Sequence, residues 1–199
     1  MKELLKALAR GCATVLVLPH LLSWAVRAAL FGRDRALEGS MQTLGLVPGV
    51  LGEYVRRAFL ARTIEHCAPT VVVGYGTLIS QCGCRFDDHV YIGPRCHLGL
   101  VHLERDVMLA AGVHVPSGRH THGTATGAPM REQEGRRTRV RIGAGAWIGS
   151  AAVVMADVGA DTIVGAGAVV TRPLPARVMA AGVPARVVRG RDDERAVRA

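Results

Sequence analysis

The chain has 199 residues, enough for one domain and a modest appendage, and with 24 glycines but only 4% aromatics its core must rest on Val, Ile, Leu and Ala rather than large rings. Five cysteines (12, 67, 82, 84 and 96) are odd in number and lack a disulfide-framework spacing; no zinc-spaced partner follows Cys82 and Cys84, so a reducing cytoplasmic setting without a metal site is expected. The net charge of +9 comes from +4 in each of residues 1–70, 119–141 and 172–199 against −3 elsewhere; this suits an anionic membrane surface and a phosphate-bearing ligand, while the lack of a recognition helix, zinc finger or aromatic-rich surface argues against nucleic acid.

Residues 1–10 are basic and amphipathic, and residues 11–26 carry no formal charge. That apolar run is 16 residues, short of the ~20 that cross a bilayer, and Pro19 and His20 sit in its middle. Three readings compete: a signal peptide with weak cleavage material at Ala25, Ala28 and Ala29, a core helix needing a partner surface, and an interfacial anchor. Lys2, Lys6 and Arg10 at one end and Trp24 near the other favour the anchor, so residues 1–30 are expected to contact a membrane surface. Residues 31–48, with Gly32, Gly39, Gly45 and Pro48, read as loop with at most short helices. Residues 49–67 read as a helix whose stripe of Leu51, Tyr54, Val55, Ala58 and Phe59 leaves Glu53, Arg56, Arg57 and Arg62 on other faces; it is expected to cap the open end of the repeats that begin near Val71.

From Val71 a six-residue period sets in. An aliphatic residue, often followed by Gly, recurs with a small residue four places on: Val73-Gly74 with Thr77, Ile92-Gly93 with Cys96, Ile148-Gly149 with Ala152, Val164-Gly165 with Ala168. Neither helix nor plain strand has this period, which marks a solenoid of stacked parallel strands about 4.8 Å apart. One residue is extra near Arg85, one is missing before Leu103, and the step from Val154 to Val158 is two short. Fourteen hexads at three per turn predict between four and five coils. The period is lost over residues 117–141, a loop holding His120, His122 and six arginines; so long an excursion is expected to be functional or mobile. Past Thr171, Pro173 and Pro175 are expected to end the strand stacking, and residues 190–199 read as a charged tail.

The motifs WIG at 147–149, VGAGAVVT at 164–171 and AGVPARVVR at 181–189 resemble the hexapeptide-repeat acyltransferases, in the manner of sugar and polysaccharide O-acetyltransferases. The resemblance implies an all-β, left-handed parallel β-helix over residues 71–189, a homotrimer, acetyl-CoA as acyl donor and a hydroxyl-bearing saccharide as acceptor. It also implies that the extruded loop carries the catalytic histidine; the segment 117–120 looks like the one in which such enzymes place it. A neutral imidazole near its ordinary pKa of ~6.5 suits removal of a hydroxyl proton, so His120 is the expected base. His122, on the same side of an extended segment, is the runner-up. Asp87, Asp88, Glu104, Asp106 or a backbone carbonyl would orient it. Carried over by motif, the donor-binding positions are Ser150, Ala166, Thr171, Arg172, Arg186 and Arg189. The long apolar N-terminal region departs from the family pattern and points to a lipid-linked acceptor at the inner face of a cytoplasmic membrane. A metal-dependent hydrolase using His89, His97, His102 and His114, or a non-catalytic scaffold, is the alternative on the same fold.

Overall fold

The structure, a computed structural model, describes residues 2–192, with side chains from residue 7 onward. From His66 the chain winds into a parallel β-helix of three faces. Face A stacks His66–Cys67, Arg85–Phe86, Val101–Leu103 and Val140–Ile142, and continues through single bridges at Val158 and Leu174. Face B stacks Val72–Val73, Tyr91–Ile92, Met108–Leu109, Trp147–Ile148, Ile163–Val164 and Val178–Ala181. Face C stacks Leu78–Ile79, His97–Leu98, His114–Val115, Val153–Val154 and Val169–Val170. The repeat dictates this. Each hexad's aliphatic residue points inward, so Phe86, Ile92, Leu98, Leu109, Ile142, Ile148 and Val154 are fully buried, and the small residue four places on (Cys96, Ala152, Ala168) lines the corner behind it. Two inward hydroxyls, Thr77 and Thr162, donate to the carbonyls of Gly93 and Pro175 at 2.7 Å, so their burial leaves no polar group unpaired.

Every step from face A to B and from B to C is six residues, whereas the steps from C to A, such as Ile79 to Phe86, Leu98 to Leu103 and Val154 to Val158, vary. All irregularities in the period, the long loop included, therefore fall on the C–A edge. A slip inside a strand would turn inward side chains outward, and a corner absorbs it.

Five full coils and a partial sixth form, more than the four to five expected. The first strand, His66–Cys67, already pairs five residues before Val71. The prolines do not end the stacking: Leu174 between them bridges Val158 and donates its N–H to the Asp157 carbonyl at 2.9 Å, and Val178–Ala181 pairs with Ile163–Val164. Pro173 and Pro175 lie at corner positions and lose no rung. What ends the solenoid is Arg186–Gly190, which turns back antiparallel on Val178–Ala181 and covers the last edge of face B. Gly190 thus belongs to a strand; residues 193–199 of the expected tail lie outside the described residues.

Three helices close the other end: α1 (Lys2–Phe31), α2 (Arg33–Gly45) and α3 (Gly49–Thr63). The segment expected as loop is α2. Its glycines lower helix propensity, but Ala36, Leu37, Ser40, Met41 and Leu44 form a helical stripe, and burying it overrides propensity. Helix α1 runs 30 residues straight through Pro19, which lies on the exposed side. Its stretch Ala7–Phe31 is long and apolar enough to cross a membrane, correcting the count of 16, because the charged residues near its ends belong to the same helix. One face of α1 (Ala13, Val17, Leu21, Trp24) packs on α2 and α3; the other leaves Leu8, Val15, Leu18, Leu22, Val26 and Leu30 exposed.

Helix α3 caps the first coil as expected, with Phe59 and Leu60 fully buried, but the charge pattern misled about two arginines. Arg56 is 1% exposed and donates to the carbonyls of Val73 (2.9 Å), Leu44 (3.2 Å) and Val47 (2.7 Å), tying α3 to the first rung and to the end of α2. Arg57 is buried as well.

Candidate active site

Face C is bordered by the two edges that carry the expected site. On the B–C edge, Ser150 and Ala166 occupy the same corner position in successive coils, both exposed. Each such corner spends the amide of its first residue on the next coil and that of its third on the previous one: Gly149 donates to Val164 (2.7 Å), and Gly167 donates back to Ser150 (2.8 Å). Among the described residues the amides of Ser150 and Ala166 in between donate to no backbone carbonyl. They form two N–H groups one coil apart, unpaired among the described residues and each on a small, exposed residue. Arg186 stands at the end of the same edge, opposite Ala181, its guanidinium exposed and in part donating to the Ala185 carbonyl.

Thr171 and Arg172 lie across face C, on the C–A edge, with Arg172 exposed. Arg189, half-buried opposite Met179 and engaged in a contact of its own, lies farther along the returning strand. The structure thus gathers Ser150, Ala166 and Arg186 along one border of face C, sets Thr171 and Arg172 on the other, and leaves Arg189 aside.

The loop leaves the C–A edge after Val115. It is more ordered than its composition suggests. Thr138 donates to the Ser117 carbonyl (2.9 Å) and Arg136 to the His120 carbonyl (2.6 Å), so its outgoing and returning limbs are tied. At the tip, Gln133 bonds both backbone groups of Ala125 and the Ala128 carbonyl at 2.8–2.9 Å. His120 and His122 both project into solvent, and among the described residues neither imidazole has a hydrogen-bond partner. The four carboxylates named as possible orienting groups are engaged elsewhere, near the A–B edge: Asp87 with His102 (3.0 Å), Asp88 with Thr70 (2.9 Å), Asp106 with His89 (3.2 Å) and Glu104 with Arg141 (2.6 Å). Within one chain none of them orients the loop imidazoles.

One feature of face C escaped the sequence reading. His97 and His114, one residue before the inward Leu98 and Val115, are partners in neighbouring rungs, and their rings stack in parallel with centroids 5.0 Å apart. His114 is exposed at the surface of face C, and partial desolvation of its ring, with secondarily the charge of His97, holds its pKa below the ordinary value. Their matching place in the hexad was the available signal. The histidines considered as metal ligands disperse instead: His102 is on face A with Asp87, His89 on a corner with Asp106, and His97 and His114 on face C. Among the described residues no group of three or more His, Cys, Asp or Glu could hold one metal ion.

No family model matches the chain. It is 25% identical over 182 residues to the galactoside O-acetyltransferase of Escherichia coli (strain K12), a match covering 80% of this chain and 89% of that protein. Among solved structures it superposes on a maltose O-acetyltransferase from Clostridium difficile 630 with a TM-score of 0.69 at 20% identity, over 81% of this chain and 88% of that one. It also superposes on a hexapeptide-repeat acetyltransferase from Vibrio cholerae O1 biovar eltor, solved with acetyl-CoA, with a TM-score of 0.69 at 20% identity, over 83% and 91%. These superpositions show the left-handed β-helix fold. The repeat, the fold and a relative matched along most of both chains agree in likening this chain to the hexapeptide-repeat O-acetyltransferases.

Proposed function

We propose that the protein transfers an acetyl group from acetyl-CoA to a hydroxyl of a saccharide, with His120 as general base. The observation that carries this reading is the construction of face C: unpaired amides at Ser150 and Ala166 run along one border, and the tied, histidine-bearing loop leaves the other. An extended amide-containing arm fits a ladder of free N–H donors, and Arg172 and Arg186 would meet its phosphates. The thioester supplies an activated acyl group, so the protein needs to do little beyond positioning and proton transfer. His120, in its neutral form, accepts the proton of the attacking hydroxyl and returns it to the departing sulfur. A backbone N–H holds the developing oxyanion. A homotrimer completes the site in this reading, since the loop extends away from its own coil and its imidazoles find no orienting group there. The exposed apolar side of α1 supports a membrane-surface location on the cytoplasmic side and a lipid-linked saccharide as acceptor.

The test is CoA release from acetyl-CoA over a panel of free sugars and detergent-solubilised lipid-linked sugars. His120→Ala is expected to lose about 10²–10⁴ in kcat with acetyl-CoA affinity retained, and His122→Ala to lose far less. A larger loss in His122→Ala moves the base to that residue. Failure to bind acetyl-CoA overturns the transferase reading.

A further inference from the structure

We infer that Arg57, flanked by Arg10 and Arg62, is a phosphate-binding site between α1 and α3, and that its occupant is the phosphate headgroup of a lipid. The inference deepens the membrane location proposed above and rests on it, but it concerns residues far from face C.

Arg57 is 8% exposed, yet among the described residues it makes no ion pair and no hydrogen bond. Its neighbour Arg56, equally enclosed, spends its donors on three carbonyls. After burial, which lowers the Arg57 pKa most, Cys67 and more weakly Tyr54 raise it while Arg10 and Arg62 lower it, and no carboxylate is among these groups. Arg62 is held in place by the Ala58 carbonyl (2.8 Å) and Thr14 (3.2 Å), neither of which neutralises it. Three guanidinium groups thus converge with no carboxylate acting on the central one; Glu53, which lines the neighbouring cavity, acts on Arg56. An enclosed cation of this kind is expected to be matched by a ligand anion.

The space for one exists. A cavity of about 570 Å³ opens beside Arg57, lined also by Arg10, Tyr54, His89 and one carboxylate, Glu53, and a second hollow shares Arg10 and Arg57 and adds Arg62. Tyr54 adds a hydroxyl and His89 the ring nitrogen not facing Asp106, whereas the Thr70 hydroxyl is spent on Asp88; guanidinium forks match phosphate oxygens. A lipid rather than a free phosphate follows from the apolar surface adjoining the site. Val50 lines the cavity together with Arg10 of α1, Leu51 follows it in α3, and Leu8 and Val15, on either side of Arg10 in α1, are exposed as well. A headgroup at Arg57 places its acyl chains along residues that otherwise face water.

The experiment is flotation of the full chain with phosphatidylcholine vesicles, with and without phosphatidic acid, at fixed salt, for wild type, Arg57→Gln, Arg57→Lys and Arg35→Gln. Arg35→Gln removes the same charge from an exposed position of α2. Wild type is expected to prefer phosphatidic acid vesicles about tenfold; Arg57→Gln loses that preference, Arg57→Lys keeps part of it, and Arg35→Gln keeps it all. Equal losses in Arg57→Gln and Arg35→Gln reduce the effect to general charge and overturn the site. Competition by inorganic phosphate at equal phosphate concentration assigns it to a free anion and overturns the lipid. Thermal melting in detergent guards against a folding artefact: Arg57→Gln is expected to melt at or above wild type, and a marked drop makes Arg57 structural. CoA release with a free sugar, unaffected in Arg57→Gln, separates failure here from failure of the transferase reading.

Discussion

Replacing Gly149 by alanine tests whether the glycine of each hexad is fixed by coil stacking. A Cβ at 149 would lie 2.5 Å from the Ala166 nitrogen and 2.8 Å from the Val164 carbonyl oxygen, inside the 3.0 Å below which real Cβ contacts essentially never fall. Both obstacles are backbone of the next coil, held by the bonds from Gly149 to Val164 (2.7 Å) and from Gly167 to Ser150 (2.8 Å). No side chain can rotate away, so relief requires prising the two coils apart. Overpacking of this kind costs about 1–3 kcal/mol, of which alanine recovers up to ~1 kcal/mol by restricting the unfolded chain. The net loss of roughly 1–2 kcal/mol corresponds to about 2–8 °C in Tm for a chain of this size. Gly11→Ala is the reference: position 11 lies in α1, and nothing stands within 4 Å of where its Cβ would be, so only the helix-propensity gain of about 0.5–1 kcal/mol operates. Melting followed by circular dichroism at fixed protein concentration decides between them. If Gly149→Ala melts level with Gly11→Ala, the stacking argument is wrong. Because the displaced corner carries Ser150 and abuts Ala166, acetyl-CoA binding is expected to weaken several-fold as well.

Arg56→Met keeps the volume of a fully enclosed side chain but removes the donors to the carbonyls of Leu44, Val47 and Val73, of which, among the described residues, Leu44 alone keeps a backbone donor, the Val47 N–H at 3.3 Å; allowing for the desolvation no longer required of the charge, a loss of about 2–4 kcal/mol is expected, and an unchanged urea midpoint would refute it. Burial pushes the thiols of Cys67 and Cys84 up to about 12 and that of Cys82 up to about 11, while Cys12 is exposed on α1. At about pH 8, iodoacetamide should therefore modify Cys12 first by intact mass, and vesicles containing phosphatidic acid should protect it; fast labelling of a second thiol contradicts the burial assigned here. The His114 pKa is lowered in the fold, so its neutral form's contribution to stability is fully present above the unfolded value of ~6.5 and is lost as pH falls through the folded value. His114→Gln should flatten the fall in Tm below about pH 6.5, and an unaltered slope would remove His114 as its source.

The solenoid was legible because its code is local. A hexad specifies which residue points inward, which turns the corner and where a coil must come close to its neighbour, all within six positions. The slips near Arg85, before Leu103 and after Val154 could be counted in the sequence for the same reason. That they share one edge could not, since edge identity emerges only when coils are laid over one another. The helical region was read less well because its code is tertiary. Gly39 and Gly45 in α2 argue for loop on propensity, and Arg56 and Arg57 argue for a solvated face on charge. Burial of the stripe from Ala36 to Leu44, and carbonyls waiting at the first rung, decide both against local preference.

The site divides along the same line. Ser150 and Ala166 were placed by motif, and the donor-binding role proposed for them rests on a feature of the fold: among the described residues, each is the second residue of its corner, whose amide the stacking leaves over. Small residues there keep that amide open, which explains their presence without reference to any relative. The choice between His120 and His122 is different in kind. Both imidazoles are exposed on a loop tied through the His120 carbonyl and the Ser117–Thr138 bond, and neither meets a group of its own chain that would fix a tautomer. A base needs that fixing. If it comes from a second copy, diluting the assembly should abolish turnover before the β-helix melts, with circular dichroism constant while kcat falls with protein concentration. Specific activity that holds down to the monomer would mean that one chain suffices, and the loop imidazoles would then have to find their partner by moving toward the His97–His114 pair on face C.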